Sequence, residues 1–290
     1  MGLITPKKTP GNTEPLIPST ELTPLKGPLF SGRPKISVCL IAKNEEKYIE
    51  SCIKSLLPVA YEIIILDTGS TDRTLDICRK LQLSSNSSLA KRGEQINSLS
   101  SQERAGESLE FIKIFQTTWE DDFAKARNES LKYATGDWIL YIGADEVLTE
   151  DTQKKLSAFL EKNTYDEKPV VFCCKVLNPQ EQGGFVTSYF RQALFKNNMG
   201  ISFRGAIHEQ LYRPEKDLIN INCPFFEVYH FGTLKSADDL IKKSIKYITL
   251  LLKIIEKEPE NPENYYYYHH LGNSYSQQNN HEKALEAFLT

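Results

Sequence analysis

Four times after Lys35, a short apolar run gives way to a longer stretch with helical periodicity, and this alternation constrains the fold more than any other feature. "KISVCLIA" has strand length and is apolar almost throughout. It is followed by "KNEEKYIESCIKSLL", in which Tyr48, Ile49, Cys52, Ile53, Leu56 and Leu57 recur at helical spacing. "EIIILD" is a second buried strand, and "STDRTLDICRKL" opens the next helix, with Ser70 or Thr71 expected as its N-cap. "LEFIKIF" predicts a third strand. "DDFAKARNESLKYA" predicts a helix with Phe123, Ala126, Ser130, Leu131 and Ala134 along one stripe, and "DWILYI" predicts a fourth strand. Apolar strands joined by short helical crossovers are what a parallel sheet covered on both faces requires. The expected fold class is therefore α/β, a Rossmann-like and mainly parallel sheet with helices on both faces. Ligands in such sheets bind beyond the carboxyl ends of the strands. That directs attention to residues 42–46, 67–72, 119–122 and 143–146, all rich in charge.

The flanking regions differ in character. Residues 1–34 contain seven of the 14 prolines with almost no periodicity, which predicts a disordered or extended leader. The α/β domain is expected over 35–235, with 84–109, polar and Ser-rich, as a surface insertion. After residue 150, short strands ("PVVFCCKVL", "SYFRQALFK", "FFEVYHF") replace the strict alternation, so a mixed sheet is expected. Residues 236–290 are helical in pattern. Leu240, Ile241, Ile245, Ile248, Leu252 and Ile255 are expected to form the apolar face of a long helix ended by Pro259 and Pro262. "YYYYHHLGNSYSQQNNHEKALEAF" then has the look of one tetratricopeptide-type helical hairpin, with Leu271, Gly272, Tyr275, Ala284 and Phe288 roughly in pattern. A single such unit cannot bury its own outer face, so it either caps against the preceding helix or is the first repeat of a longer array, and protein contacts through it are one expectation.

Charge excludes one class of partner. With 35 Lys and Arg against 38 Asp and Glu, the formal charge of −3 lacks the basic footprint of a nucleic-acid binder. No run reaches the roughly 18 to 20 apolar residues of a membrane span. The six cysteines show no C-x-x-C spacing, and the neighbours Cys173 and Cys174 should point to opposite faces of a strand. Buried free thiols in a reducing cytoplasm are the expectation.

Several residues at the ligand edge have two readings each. Asp67 in "ILDTGSTD" is either a turn-former before Gly69 or a carboxylate that accepts from a base or ribose. Lys43 and Glu45 follow the first strand, where a helix N-terminus favours an acid on dipole grounds alone. Arg127 suits a structural ion pair or a phosphate contact. Asp145 and Glu146 in "GADE" are a common loop pair, or they hold a divalent ion with diphosphate oxygens. In "RGAIHEQL", Glu209 beside His208 is surface charge or a general base. His230 in "VYHFGT" is a core histidine or a metal ligand, and His269 and His270 are expected to be structural.

Taken together, "ISVCLIAKNEE", "EIIILDTGSTDRTLDI", "WEDDFAKARNESLKYATGDWILYIGADE", "FRGAIHEQL" and "VYHFGT", followed by the long helix and hairpin, resemble glycosyltransferase family 2. The resemblance is narrower to its branch with C-terminal tetratricopeptide repeats, which includes the sublancin-type S-glycosyltransferases. It implies a GT-A fold, a nucleotide-sugar donor of UDP type, a Mg²⁺ or Mn²⁺ ion, and inversion at the anomeric carbon. It also implies a peptide, protein or glycan acceptor. By position, it makes Ile41, Lys43 and Glu45 the nucleotide-facing turn, Asp67 the uracil contact and Arg127 a basic residue near the donor. Asp145 becomes the last acid of Asp-x-Asp, Glu209 the base and His230 a metal ligand. The departure is Gly143, which stands where the first acid would be. Its loss implies weaker donor binding without loss of the ion, unless the site needs a residue with no Cβ there. Two rivals remain: a lipopolysaccharide-core or other glycan glucosyltransferase, and a degenerate, non-catalytic module that binds nucleotide-sugar or protein.

Overall fold

The structure, a computed structural model, describes residues 34–96, 111–163, 168–180, 185–214, 217–233, 237–261 and 264–290. The expected leader, apart from Pro34, and residues 97–109 of the expected insertion lie outside the described residues.

The predicted alternation is present. β1 (Ile36–Ala42), β2 (Glu62–Asp67), β3 (Ile112–Gln116) and β4 (Trp138–Tyr141) are mutually parallel, in the spatial order β3-β2-β1-β4. They are joined through α1 (Ile49–Leu56), α2 (Thr74–Ile96) and α3 (Phe123–Leu131). β2 is buried along its whole length, as a strand covered on both faces must be. Because β2 and β3 step to one side of β1 while β4 lies on the other, the winding direction reverses between β1 and β4. That reversal leaves a crevice at the carboxyl ends of these two strands.

Beyond β4 the sheet becomes mixed, as expected. A short β5 (Glu146–Leu148) leads to α4 (Glu150–Lys162), β6 (Val170–Pro179), β7 (Phe185–Lys196) and β10 (Ile219–His230), with β8 (Ser202–Arg204) and β9 (Gln210–Tyr212) as a separate two-stranded ribbon. The large sheet has the order β3-β2-β1-β4-β7-β6-β10-β5, with β7 antiparallel to both neighbours. A buried polar tie in it is Glu62, only 3% exposed at the start of β2. The carboxylate accepts from Ser37 Oγ at 2.5 Å, from Thr135 N at 2.6 Å and Thr135 Oγ1 at 2.9 Å, and pairs with Lys113 Nζ at 2.7 Å. One side chain thus joins β1, β2, β3 and the approach to β4 at the end of the sheet opposite the crevice.

All six cysteines are free and buried, and burial pushes the thiols of Cys39, Cys78 and Cys174 up to about 12. They are packing residues. No described helix is long and apolar enough to cross a membrane.

Three local expectations are corrected. First, α2 begins at Thr74, not beside Ser70 or Thr71. Asp72 Oδ1 accepts from Thr74 N (2.9 Å) and Oγ1 (2.6 Å), while the Ser70 and Thr71 hydroxyls are engaged with Asn44 across the crevice edge. Second, α2 continues to Ile96, so the first part of the expected insertion extends a helix.

The third correction concerns α5 (Ala237–Lys257). Ile241, Ile245 and Leu252 are 44%, 52% and 44% exposed, while Ser244, Leu250, Leu251 and Ile255 are buried. The helix turns its Ser244–Leu251 side inward because it packs on α6 (Asn264–Gln277) and on Ile207 of the α/β domain. Periodicity alone does not select between two adjacent apolar stripes. In α6 and α7 (His281–Leu289) the hairpin is close-packed, since a Cβ at Gly272 would overlap the Phe288 ring.

Candidate active site

The loops after β1 and β2 form one edge of the crevice and are laced together. Asn44, at φ +57°, donates its N–H to Ser70 Oγ (3.0 Å) and accepts from Thr71 N at Oδ1 (2.7 Å). Glu45 N donates to Thr74 Oγ1 (2.8 Å), and Glu46 N to Asp72 Oδ2 (3.1 Å). Of the residues assigned here, Ile41 is half-buried at the end of β1, Lys43 is exposed, and Glu45 is half-buried where α1 is approached. Asp67 is completely buried. Its carboxylate holds its own turn, accepting from Gly69 N at 3.1 Å and Ser70 N at 3.1 Å, with Gly69 at φ +99° where a side chain would be strained. The turn-forming reading of Asp67 is therefore realised in the structure, and the carboxylate retains acceptor capacity beyond those bonds.

The opposite edge follows β4. Asp145 and His230 are 85 positions apart in sequence, yet Asp145 Oδ2 lies 3.5 Å from His230 Nε2. Pairing of β5 with β10 brings this about, with His230 in register with Glu146, and Phe231 N donates to Asp145 O at 2.9 Å. His230 Nδ1 faces Asn178 Oδ1 at 3.0 Å, and the amide is oriented by Asn178 Nδ2 donating to Thr187 Oγ1 at 2.8 Å. With Nδ1 engaged by Asn178, Nε2 is presented to Asp145. Burial opposes protonation of this imidazole, but the hydrogen bond and charge of Asp145 outweigh it and raise the pKa.

Glu146 is diverted from the crevice. It is 6% exposed, ion-paired with Arg191 of β7, and accepts Gly143 N at 2.7 Å. Burial disfavours the Arg191 cation, but Glu146 overcomes this and keeps the guanidinium charged. Of the acid pair in "GADE", only Asp145 faces His230.

Arg127 and Glu209 meet. Their ion pair is largely buried, at 15% and 14% exposure, and the Arg127 guanidinium lies 5.0 Å from the Tyr141 ring centroid and 5.5 Å from that of Phe203. Arg191 lies 5.1 Å from the same Tyr141 ring. Tyr141, at the end of β4, is thus bordered by both arginines, one paired with Glu209 and the other with Glu146.

Two glycines make room for Asp145. A Cβ on Gly232 would overlap Asp145 Oδ2 and come within 2.8 Å of His230 Nε2. A Cβ on Gly143 would lie 2.8 Å from Asp145 Oδ1 and 3.3 Å from Glu146 Cδ. The carboxylate of Asp145 occupies the space that a side chain at Gly143 would need. Among the described residues no group of three or more His, Cys, Asp or Glu side chains is placed to hold a metal. Asp145 and His230 nevertheless fit a hard divalent cation that completes its shell with water and diphosphate oxygens. Asn178 orients the imidazole as outer partners of ligating histidines do. Sequence reasoning missed Asn178, Arg191 and Gly232, since nothing local distinguishes an asparagine or arginine inside a strand from ordinary strand residues.

The model of the family "Glycosyl transferase family 2" matches residues 37–234, a span that holds both edges of this crevice. The chain belongs to glycosyl transferase family 2. The GT-A-type α/β fold with a C-terminal helical segment, implied by the sequence resemblance, accompanies that membership. The chain is similar to the SPbeta prophage-derived glycosyltransferase SunS of Bacillus subtilis, at 28% identity over 80% of this chain and 48% of SunS. It is also similar to a TPR repeat-containing protein of Synechococcus elongatus, at 31% identity over 60% of this chain and 35% of that protein. It thus spans half or less of the length of these relatives. The crystal structure of S. aureus TarS 1–349 is similar at 17% identity and a TM-score of 0.41, over 84% of this chain and 71% of that one, too distant to match residues.

Proposed function

We propose that this family 2 member is an inverting glycosyltransferase that moves a sugar from a UDP-sugar to a peptide, protein or glycan acceptor. The observation that supports the reading is that two pairs distant in sequence both adjoin the end of β4: Asp145, which follows it, lies 3.5 Å from His230, and Arg127, against Tyr141, is ion-paired with Glu209. The nucleotide would lie against Ile41, Lys43, Glu45 and Asp67, with its diphosphate toward Asp145 and Arg127. Glu209 takes the proton of an acceptor hydroxyl or thiol as that oxygen or sulfur bonds to the anomeric carbon. The bond from that carbon to the diphosphate oxygen breaks in the same displacement, and the nucleoside diphosphate leaves with its electron pair. When bound between Asp145 and His230, Mg²⁺ or Mn²⁺ supplies charge neutralisation at the diphosphate. Arg127 holds Glu209 in place until the acceptor arrives.

A peptide or protein acceptor is supported by the helical segment, whose residues lie against the loop bearing Glu209. A glycan acceptor is supported by a relative named poly(ribitol-phosphate) beta-N-acetylglucosaminyltransferase TarS, 28% identical over 46% of this chain and 20% of that protein. The decisive experiment is Glu209→Gln, which preserves shape and removes the proton acceptor. Turnover of UDP-glucose or UDP-N-acetylglucosamine should fall about 10²- to 10⁴-fold, with donor affinity by calorimetry nearly unchanged. A collapse of donor affinity would make Glu209 a binding residue. Wild-type protein that binds these donors but never turns them over would make the domain a binding module.

A further inference from the structure

The loop that ends at Glu209 is held by two parts of the molecule, α3 at Ala206 and the helical segment at Ile207 and His208. Ala206 O accepts from Phe123 N at 2.8 Å, at the start of α3. Ile207 is 1% exposed and buried not in the sheet domain but among Leu250, Leu251, Ile255, Leu271 and Ala287 of the helical segment. His208 has φ +53°, a left-handed conformation that a non-glycine residue keeps only where its surroundings over-determine it. Those surroundings come largely from the helical segment. The His208 ring stacks on His270 with centroids 3.7 Å apart and planes at 17°, and meets the ring of Tyr247 edge-on at 5.6 Å. The His208 carbonyl accepts from Tyr266 Oη at 2.7 Å, and Tyr266 Oη in turn accepts from Gln210 Nε2 at 3.2 Å. Glu209, between these anchored neighbours, reaches Arg127.

Burial lowers the His208 pKa, and burial together with His208 and His269 lowers that of His270 to about 4, so two neutral rings stack at neutral pH. A neutral stack adds no charge beside Glu209.

We propose that Tyr266 and His270 are positioning residues for Glu209, so that the helical segment is a working part of the candidate active site. This rests on the reading of Glu209 as the base. The left-handed turn at His208 sets the direction in which the Glu209 side chain leaves the backbone. The stack and the Tyr266 hydrogen bond hold that turn, while Arg127 holds the Glu209 carboxylate. A base displaced by about 1 Å loses roughly two orders of magnitude in rate, so losing one of two anchors should be visible in turnover.

The test uses the full chain with Mn²⁺ and UDP-glucose or UDP-N-acetylglucosamine as probe, with donor hydrolysis as the rate. His270→Ala should lower kcat about tenfold with donor KM unchanged, and His270→Phe, which can still stack, should recover most of it. Tyr266→Phe, which keeps the ring and removes one hydrogen bond, should lower kcat severalfold and serves alone if His270→Ala does not fold. In a Glu209→Gln background neither change should reduce the rate further, because residues acting through one group are non-additive. A purely structural role would reduce it again. Amide hydrogen exchange should rise across residues 205–210 in both single variants and stay unchanged in β1 and β4, a readout independent of turnover. Wild-type exchange in that loop, equal kcat in the folded variants, or a His270→Phe no better than His270→Ala would each overturn the proposal. If Glu209→Gln retains full hydrolysis, the base assignment fails instead.

Discussion

Replacing Gly143 by aspartate would supply the missing first acid of an Asp-x-Asp pair, and the sequence leaves two outcomes open: better donor binding, or damage to a site that needs no Cβ there. The structure predicts damage. A Cβ at this position lies 2.8 Å from Asp145 Oδ1 and 3.3 Å from Glu146 Cδ, so the Asp145 carboxylate must move before a new side chain fits. The carboxylate that must shift is the one whose other oxygen lies 3.5 Å from His230. The new carboxylate also adds like charge about 4 Å from Asp145, which at an effective dielectric near 20 costs about 4 kcal/mol before relaxation. Asp145 is 20% exposed, so solvent and the nearby His230 reduce that figure, and about 1 to 3 kcal/mol is a reasonable net expectation. At about 2 to 4 °C per kcal/mol for chains near this size, the melting temperature should fall by roughly 2 to 12 °C. Gly143→Ala separates the steric from the electrostatic part and should lose less than half as much. Melts of wild type and both variants at low salt, at high salt and with Mn²⁺ would measure this, alongside donor hydrolysis. The electrostatic part should shrink with salt or bound Mn²⁺. A Gly143→Asp protein that melts with wild type and has a lower donor KM would refute the claim that Asp145 fills this space.

Gly232→Ala should place a methyl group against both Asp145 and His230. Mn²⁺ affinity by calorimetry should drop at least about tenfold, within the range for disturbed metal sites, and unchanged affinity would remove these two residues as a metal site. Glu62 governs acid stability. Burial opposes its charge, but Lys113, Ser37 and Thr135 outweigh burial and hold its pKa below the ordinary 4.5. A depressed carboxylate contributes stability above its unfolded pKa and loses it as pH falls through the folded one. Glu62→Gln should therefore cost about 2 to 4 kcal/mol at pH 7 in denaturant unfolding. The gap from wild type should close as pH drops below about 4.5; a gap constant down to pH 3 would show that the charge of Glu62 contributes nothing.

The sheet was legible in the sequence because burial on both faces leaves a signature within each segment. β1 through β4 are short apolar runs, and the intervening turns mark where a ligand edge must lie. Asp67, Asp145, Glu209 and His230 could be singled out for the same reason, each standing at a strand end or in a loop. What the local pattern could not convey was pairing between distant segments. That Glu146 is taken by Arg191 and that Asn178 turns His230 toward Asp145 depend on β7, β6 and β10 lying side by side, and that Glu209 meets Arg127 depends on β8 packing on α3, none of which a segment encodes alone. The same limit explains α5, where two adjacent apolar stripes compete and only the presence of Ile207 and α6 selects the buried one. Gly143 shows the boundary most sharply: as a letter it marks a missing acid, and as a position it is the space occupied by the carboxylate of Asp145.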